Sequence, residues 1–211
     1  MKKEASFSVG LGLFDYINPI FYSITSLTIL FSSRTIMPKG LYLLFLLGTV
    51  LSLIFGFTIP TVKLLVGLKK FEFKMPVNLV FYVNTGILLS GIALFKYVTN
   101  INNIIFSIII VGAIICLYLI YRKTKKFNTI AVLTGAIGYI LVYSSLIALS
   151  INEKLTLPII MYGIAILLFV FLCGVGIKAN LKNPKVHWVI EISNVICQGL
   201  VAIATVLLFL Q

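Results

Sequence analysis

The chain has 211 residues, of which 61% are hydrophobic and 10% charged, and seventeen basic against five acidic residues give a formal net charge of +12. An ordinary soluble domain has roughly a quarter of its residues charged, so this chain has too few charges to cover a water-exposed surface. The composition therefore excludes a cytosolic globular enzyme, a disordered chain and a disulfide-stapled secreted domain. It predicts a protein embedded in lipid.

Seven apolar stretches are each long enough to cross about 30 Å of hydrocarbon as a helix. They lie at residues 11–32, 41–62, 77–97, 103–121, 128–149, 157–177 and 188–210. Apolar residues surround each stretch instead of alternating with polar ones, which favours lipid-immersed helices over the strands of a membrane barrel. Because no connection is long enough to fold by itself, the sequence predicts an all-α, seven-helix transmembrane bundle that forms one domain over residues 1–211.

The N-terminal stretch follows two lysines, but it is longer than the apolar region of a signal peptide, so it is interpreted as an uncleaved first span. Thirteen of the seventeen basic residues, Lys63 among them, fall in the segments on the same side as the N-terminus. The other four are Arg34, Lys39, Lys96 and Lys154. This bias predicts a cytoplasmic N-terminus, an external C-terminus and a multi-pass protein of the cell membrane. Membrane orientation also explains the basic residues better than a nucleic-acid partner does.

Two acids, Asp15 and Glu191, fall inside the predicted spans, a few residues into helices that begin on the cytoplasmic side. Each is followed three positions later by an amide, Asn18 or Asn194, which shares its helical face. Gln198 continues the line on the last span, while Tyr22 and Thr25 continue it on the first. Pro19 is expected to kink the first span.

Ionisable groups within a membrane are costly, so the two polar stripes are candidates for function. If they face each other or a wet cavity, Asp15, Asn18, Glu191, Asn194 and Gln198 form a binding site for a substrate or an ion. Carboxylate and carbonyl oxygens suit a hard cation, or a proton-coupled step. Two alternatives remain open. The acids could be stabilised by the positive end of a helix dipole near the membrane interface, or they could make a structural hydrogen bond.

Small residues predict where helices pack closely, since lipid supplies no hydrophobic force between them. Gly48, Ser52 and Gly56 form one stripe on the second span, and Ala131 with Gly135 forms another on the fifth. Such stripes indicate a compact bundle and carry no information about substrate.

No cofactor, metal site or catalytic residue is predicted. Cys116, Cys173 and Cys197 are far apart in apolar runs, and His187 is the single histidine. Neither pattern supports a disulfide, a zinc site or a doubly ligated haem. The sequence has no lysine in the middle of a predicted span, which leaves a retinal Schiff base unsupported, and it has no recognised catalytic motif.

The segment Gly10-Leu11-Gly12-Leu13-Phe14-Asp15-Tyr16-Ile17-Asn18-Pro19 resembles the first span of the lysine-exporter superfamily, which includes the cytochrome c biogenesis type of thiol-electron carriers. The resemblance implies a fold of repeated three-helix units that moves small solutes, metal ions or electrons. The electron carriers have a cysteine beside the proline where this chain has Asn18, so electron transfer is not expected. Residues 128–210 would form the second unit, and a linker span at 103–121 would make the two halves parallel.

The favoured interpretation is a transporter of a small solute or ion. A non-catalytic membrane subunit that packs on a partner through its glycine stripes is the alternative, and a membrane enzyme acting on lipid is the third. The expected partners are the lipid bilayer, a small solute or cation, and a membrane protein or a second copy of the chain.

Overall fold

The computed structural model describes residues 8–68, 77–178 and 184–210, which form eight α-helices and no strand. The helices are α1 (Val9–Asp15), α2 (Ile17–Ser33), α3 (Lys39–Gly67), α4 (Val77–Thr99), α5 (Asn103–Thr124), α6 (Phe127–Asn152), α7 (Thr156–Lys178) and α8 (Pro184–Phe209). Some of the bases that predict the orientation lie outside the described residues, namely Lys2, Lys3, Lys69, Lys70, Lys74 and Lys182.

Six of these helices, α3 to α8, each contain a segment that is long and apolar enough to cross a membrane. They correspond to the second to seventh predicted spans, with ends that differ by a few residues. The chain is therefore an all-helical, multi-pass integral membrane protein.

The first predicted span, 11–32, differs from the expectation because it is divided into α1 and α2 at Tyr16. Pro19 explains the position of the break. In a continuous helix its nitrogen would face the carbonyl of Asp15, four residues earlier, but proline has no N–H to donate and its ring clashes with that carbonyl. The sequence predicts a kink from Pro19, and the structure has a one-residue break at Tyr16, whose backbone keeps right-handed helical angles (φ −63°, ψ −22°).

Six helices form a closed ring around an interior. The helices α2, α3, α4, α6, α7 and α8 pack on one another in that order, and α8 returns to pack on α2. Helix α5 lies outside the ring against α6, and it has no buried residue along its length. The short α1 packs on α3 and α8 at one end of the ring.

Glycines allow close backbone contact on the α3–α4–α6 side of the ring. A Cβ atom placed on Gly48 of α3 would lie 2.5 Å from the carbonyl oxygen of Gly86 on α4, and one placed on Gly138 of α6 would lie 2.7 Å from the backbone nitrogen of Leu88. Ser52 adds an interhelical hydrogen bond, with its hydroxyl donating to the Val83 carbonyl oxygen at 3.1 Å. Any larger side chain at these glycines would separate the helices.

One end of the ring is filled by an apolar core. It includes Phe45 of α3, Leu94 of α4, Leu146 of α6 and Val201 of α8, all nearly inaccessible to solvent. These residues lie towards the α2–α3 connection, whereas the polar residues of the first and last spans lie towards the opposite end. The interior of the ring is thus filled by apolar side chains at one end and lined by polar residues at the other.

Candidate functional site

A buried cluster of three charged side chains joins α1, α3 and α8. The Lys63 ammonium lies 2.6 Å from Asp15 Oδ2 and 2.7 Å from Glu191 Oε1. Each of the three residues is no more than 7% exposed. One lysine therefore bridges the two acids that the sequence places on different spans.

Asn18 completes the cluster by contacting the other oxygen of each carboxylate. Its Nδ2 donates to Asp15 Oδ1 and to Glu191 Oε2, both at 3.1 Å. All four carboxylate oxygens consequently face an N–H donor, two from the ammonium and two from the amide. We call Asp15, Asn18, Lys63 and Glu191 the charge cluster.

Local sequence features bring these residues together. The interruption at Tyr16 leaves Asp15 as the last residue of α1, and Asn18 follows one turn later in α2. Gly12 allows α1 to approach α3 beside Lys63, since a Cβ atom there would lie 2.8 Å from the Leu64 backbone nitrogen. Glycine is thus required close to the point where the two charges meet.

The charge cluster is not electrically balanced when all its groups are ionised, because two carboxylates surround one ammonium and leave a formal charge of −1. An uncompensated charge in a water-poor interior is costly. The helix-dipole alternative does not remove this cost, because Asp15 is at the C-terminal end of α1 and Glu191 lies well beyond the first turn of α8. The favourable dipole acts only on the first turn.

A cavity of about 130 Å³ adjoins the charge cluster in the interior of the ring. Asp15 and Asn18 line it on one side. Its remaining walls are formed by Pro19, Tyr22, Ser52, Gly56, Ile59, Val83, Ile87, Tyr139, Asn194 and Gln198. Five helices of the ring contribute to this lining, so the cavity is a feature of the whole bundle and not of one helix pair.

The five residues of the predicted site are divided between the cluster and the cavity. Asp15 and Asn18 belong to both, and Glu191 belongs to the charge cluster. Asn194 and Gln198 line the cavity farther along α8. The two stripes thus face each other across α2 and α8, while the binding role assigned to them stays a prediction.

Lys63 is the member of the cluster that sequence reasoning assigned wrongly, to the connection between the second and third spans. In the structure α3 continues to Gly67, which places Lys63 within the helix and only 7% exposed. A signal was present in the sequence. Lys63 is separated from the basic group beginning at Lys69 by the apolar run Leu64-Leu65-Val66-Gly67-Leu68, as is typical of a base inside a span.

The residues predicted for helix packing lie at different interfaces. Gly48 and Ser52 contact α4, whereas Gly56 faces the Pro19 ring on α2 and lines the cavity. On α6, Gly135 lies against the Asn84 side chain, and the Ala131 carbonyl accepts a hydrogen bond from Asn84 Nδ2 at 2.8 Å. Asn84 of α4 therefore contributes to the α4–α6 interface.

Within residues 8–68, 77–178 and 184–210, no three His, Cys, Asp or Glu side chains come together as they would around a metal ion. Comparison with known proteins gives no family model, no curated protein and no solved structure that matches the chain. The resemblance to the lysine-exporter superfamily therefore stays a prediction, and function is argued from the site itself.

Proposed function

We propose that the chain transports a small solute or ion, and that the charge cluster and its cavity are the transport site. One observation carries this proposal: a cluster with a formal charge of −1, when all its groups are ionised, adjoins a cavity inside a membrane-embedded ring, and its Asp15 and Asn18 line that cavity. A purely structural ion pair would be more favourable if balanced or replaced by apolar residues. A transport site needs a charge that a mobile ligand can compensate.

The unequal ends of the ring support the same proposal. The end near the α2–α3 connection is filled by apolar side chains, and the cavity lies towards the charge cluster at the other end. Transporters commonly bind their substrate between two halves that open alternately to each side. In this proposal the cluster forms the gate at one end, because its contacts between α2 and α8 can be exchanged for contacts to a ligand.

The membrane topology belongs to the proposal as well. We propose that α1 and α2 together form a seventh, interrupted crossing, with the N-terminus in the cytoplasm and the C-terminus outside the cell membrane. Interrupted helices frequently contribute to transporter binding sites. With α5 as the linker, α1–α4 and α6–α8 would be parallel halves on either side of the cavity.

The experiment measures charge movement in proteoliposomes by solid-supported-membrane electrophysiology. Concentration jumps of ammonium, sodium, potassium, alkylammonium ions and amino acids are applied to the wild type and to Glu191→Gln. The wild type is expected to give a transient current for at least one of these compounds, and Glu191→Gln is expected to lose it while folding normally.

Glu153→Gln is the matched control, since Glu153 is an exposed acid at the end of α6 and the same atoms change. Its current should equal that of the wild type. The proposal would be refuted if the wild type and Glu191→Gln gave the same current for every compound, or if neither gave any current.

A second candidate function rests on α5. This helix spans 22 residues without a buried one, and a Cβ atom placed on its Gly112 would meet nothing within 4 Å. The stripe of Gly48 and Ser52 is occupied by α4 of the same chain, so α5 is the better surface for a partner. If the transport experiment gives a negative result, we propose instead that the chain is a non-catalytic membrane subunit and that α5 is the helix that packs on its partner.

Purification of the full chain in mild detergent, followed by mass spectrometry, tests that alternative. A stoichiometric partner that is lost in Gly112→Phe and kept in Gly163→Phe on α7, which also has open space at its Cβ position, supports it. Purification of the chain alone contradicts it.

A further inference from the structure

We infer that the cavity binds a small organic cation, namely a protonated primary amine, with its ammonium group beside Asn18 and Asp15. This inference rests on the proposed function, since it names the ligand class of that same site. Three independent features of the described residues lead to it: the charge of the cluster, an unpaired acceptor and the chemistry of the cavity walls.

The charge of the cluster, when both of its acids are ionised, favours a positive ligand beside it. Lys63 and Asn18 donate to all four oxygens of Asp15 and Glu191. This arrangement suits two ionised carboxylates, because a carboxyl proton would have to compete with the donor already facing each oxygen. The remaining negative charge is then best compensated by a cation in the adjoining cavity.

Asn18 supplies an acceptor for that cation. The orientation of its amide is set by the two carboxylates, since only the nitrogen can donate to both of them. Its Oδ1 is therefore turned away from the carboxylates, and it has no hydrogen-bond partner although the residue is only 9% exposed. A buried acceptor without a donor is costly, and Asn18 lines the cavity. Because this oxygen is covered in the structure, the surrounding side chains have to shift on binding for it to accept an N–H group of the ligand.

The cavity walls favour an organic cation over a metal ion. Ile59, Val83 and Ile87 are apolar, and Tyr22 and Tyr139 present aromatic rings. Calcium and magnesium ions prefer a shell of at least about six oxygens. An ammonium group with a short hydrocarbon chain instead matches the acidic end and the apolar part of a wall that also contains Ser52, Asn194 and Gln198. Tyrosine rings can also attract an organic cation through their faces.

The same lining disfavours acids and zwitterions. The described lining residues include no cationic side chain, since Lys63 is held between the two carboxylates and is not part of the wall. A ligand carboxylate would therefore enter a negative site unpaired. A volume of about 130 Å³ is below the range of drug-sized pockets, which limits the hydrocarbon part to a few carbons.

The experiment measures binding of n-butylammonium chloride to the purified full chain in detergent, by thermal unfolding and by calorimetry. Saturable stabilisation is expected. Neither n-butanol, which lacks the charge, nor sodium butyrate, which reverses it, should bind, and sodium chloride at the same ionic strength should have no saturable effect. Asp15→Asn should weaken n-butylammonium binding at least about tenfold, and Glu153→Gln should leave it unchanged.

A second variant tests the same inference in case Asp15→Asn does not fold. Ile59→Phe leaves every charge in place and fills the cavity, so it should abolish n-butylammonium binding in a folded protein. Equal binding of n-butanol, saturable binding of sodium in place of the amine, or retention of binding in Ile59→Phe would each overturn the inference.

The inference and the proposed function fail in different ways. Amine binding without any Glu191-dependent current would refute transport and support the ligand class. A Glu191-dependent current for another compound, without amine binding, would refute only the ligand class.

Discussion

The ring is joined by two very different interfaces, α4–α6 and α2–α8. The α4–α6 interface is built on glycine, where Gly91 and Gly138 bring backbones into direct contact. The α2–α8 interface carries the Asn18–Glu191 hydrogen bond beside the ammonium of Lys63. Close backbone packing holds two helices at one distance and one crossing angle. Hydrogen bonds to charged groups, in contrast, can be exchanged for bonds to water or to a ligand. The first interface is suited to be a fixed joint and the second to open.

This contrast would allow one small bundle to stay closed at the α4–α6 interface and to open at the α2–α8 interface. Without a hydrophobic force between helices in lipid, stability depends on close packing and polar contacts. Close packing stabilises the α4–α6 interface, and polar contacts stabilise the α2–α8 interface. Breaking each interface should therefore have a distinct consequence.

The largest effect is expected from Lys63→Met. This change leaves two buried carboxylates without their shared ammonium, and removal of one partner from a buried ion pair costs about 3–5 kcal/mol. The free energy of unfolding, measured by SDS titration in mixed micelles, should fall by that amount. Lys39→Met, at an exposed lysine that begins α3, should change it little.

The triple variant Lys63→Met, Asp15→Asn, Glu191→Gln separates charge from packing. It removes every formal charge of the cluster, so it should recover most of the stability lost in Lys63→Met. Failure of the triple variant to recover would show that Lys63 contributes mainly through the packing of its hydrocarbon chain.

The next effect is expected from Gly138→Leu in the α4–α6 interface. A Cβ atom there would lie 2.8 Å from the Leu88 Cα as well as close to its nitrogen, and backbone atoms cannot move aside as a side chain can. Overpacking of this kind costs about 3 kcal/mol. The folded fraction in size-exclusion chromatography should fall strongly, and Gly163→Leu, with open space at that position, should behave as the wild type.

Unlike Lys63→Met, Gly138→Leu should not be rescued by neutralising Asp15 and Glu191, because its cost is steric. Rescue by those changes would mean that the two interfaces are coupled and are not separate parts of the ring.

The fold was largely predictable because hydrophobic length is a strong signal. Six apolar stretches become six long helices, with ends displaced by a few residues. The position of the one-residue break at Tyr16 was harder to predict, because a proline in a membrane helix disturbs a whole turn before it. The side chains on either side of this break, Asp15 and Asn18, contact residues of the distant α3 and α8.

The candidate site was predictable in its acids and not in its base. The costs of burying Asp15 and Glu191 are visible in the sequence alone, and so is the helical spacing of Asn18. Lys63 lies near a span end, where a lysine normally extends to the interface. Only the approach of α1 at Gly12 and of α8 at Glu191 surrounds it with acids, and such tertiary contacts leave little trace in one sequence.

The smallest effect is expected from Asn84→Ala, which removes a single contact from the fixed α4–α6 interface. The Asn84 amide donates to the Ala131 carbonyl oxygen at 2.8 Å and lies against Gly135. Interhelical hydrogen bonds in membranes contribute about 1 kcal/mol, so SDS titration should show a loss of that size. Because the cluster is untouched, any transport current should survive. Abolition of the current in a normally stable Asn84→Ala protein would place this interface in the moving part of the ring and reverse the roles assigned to the two sides.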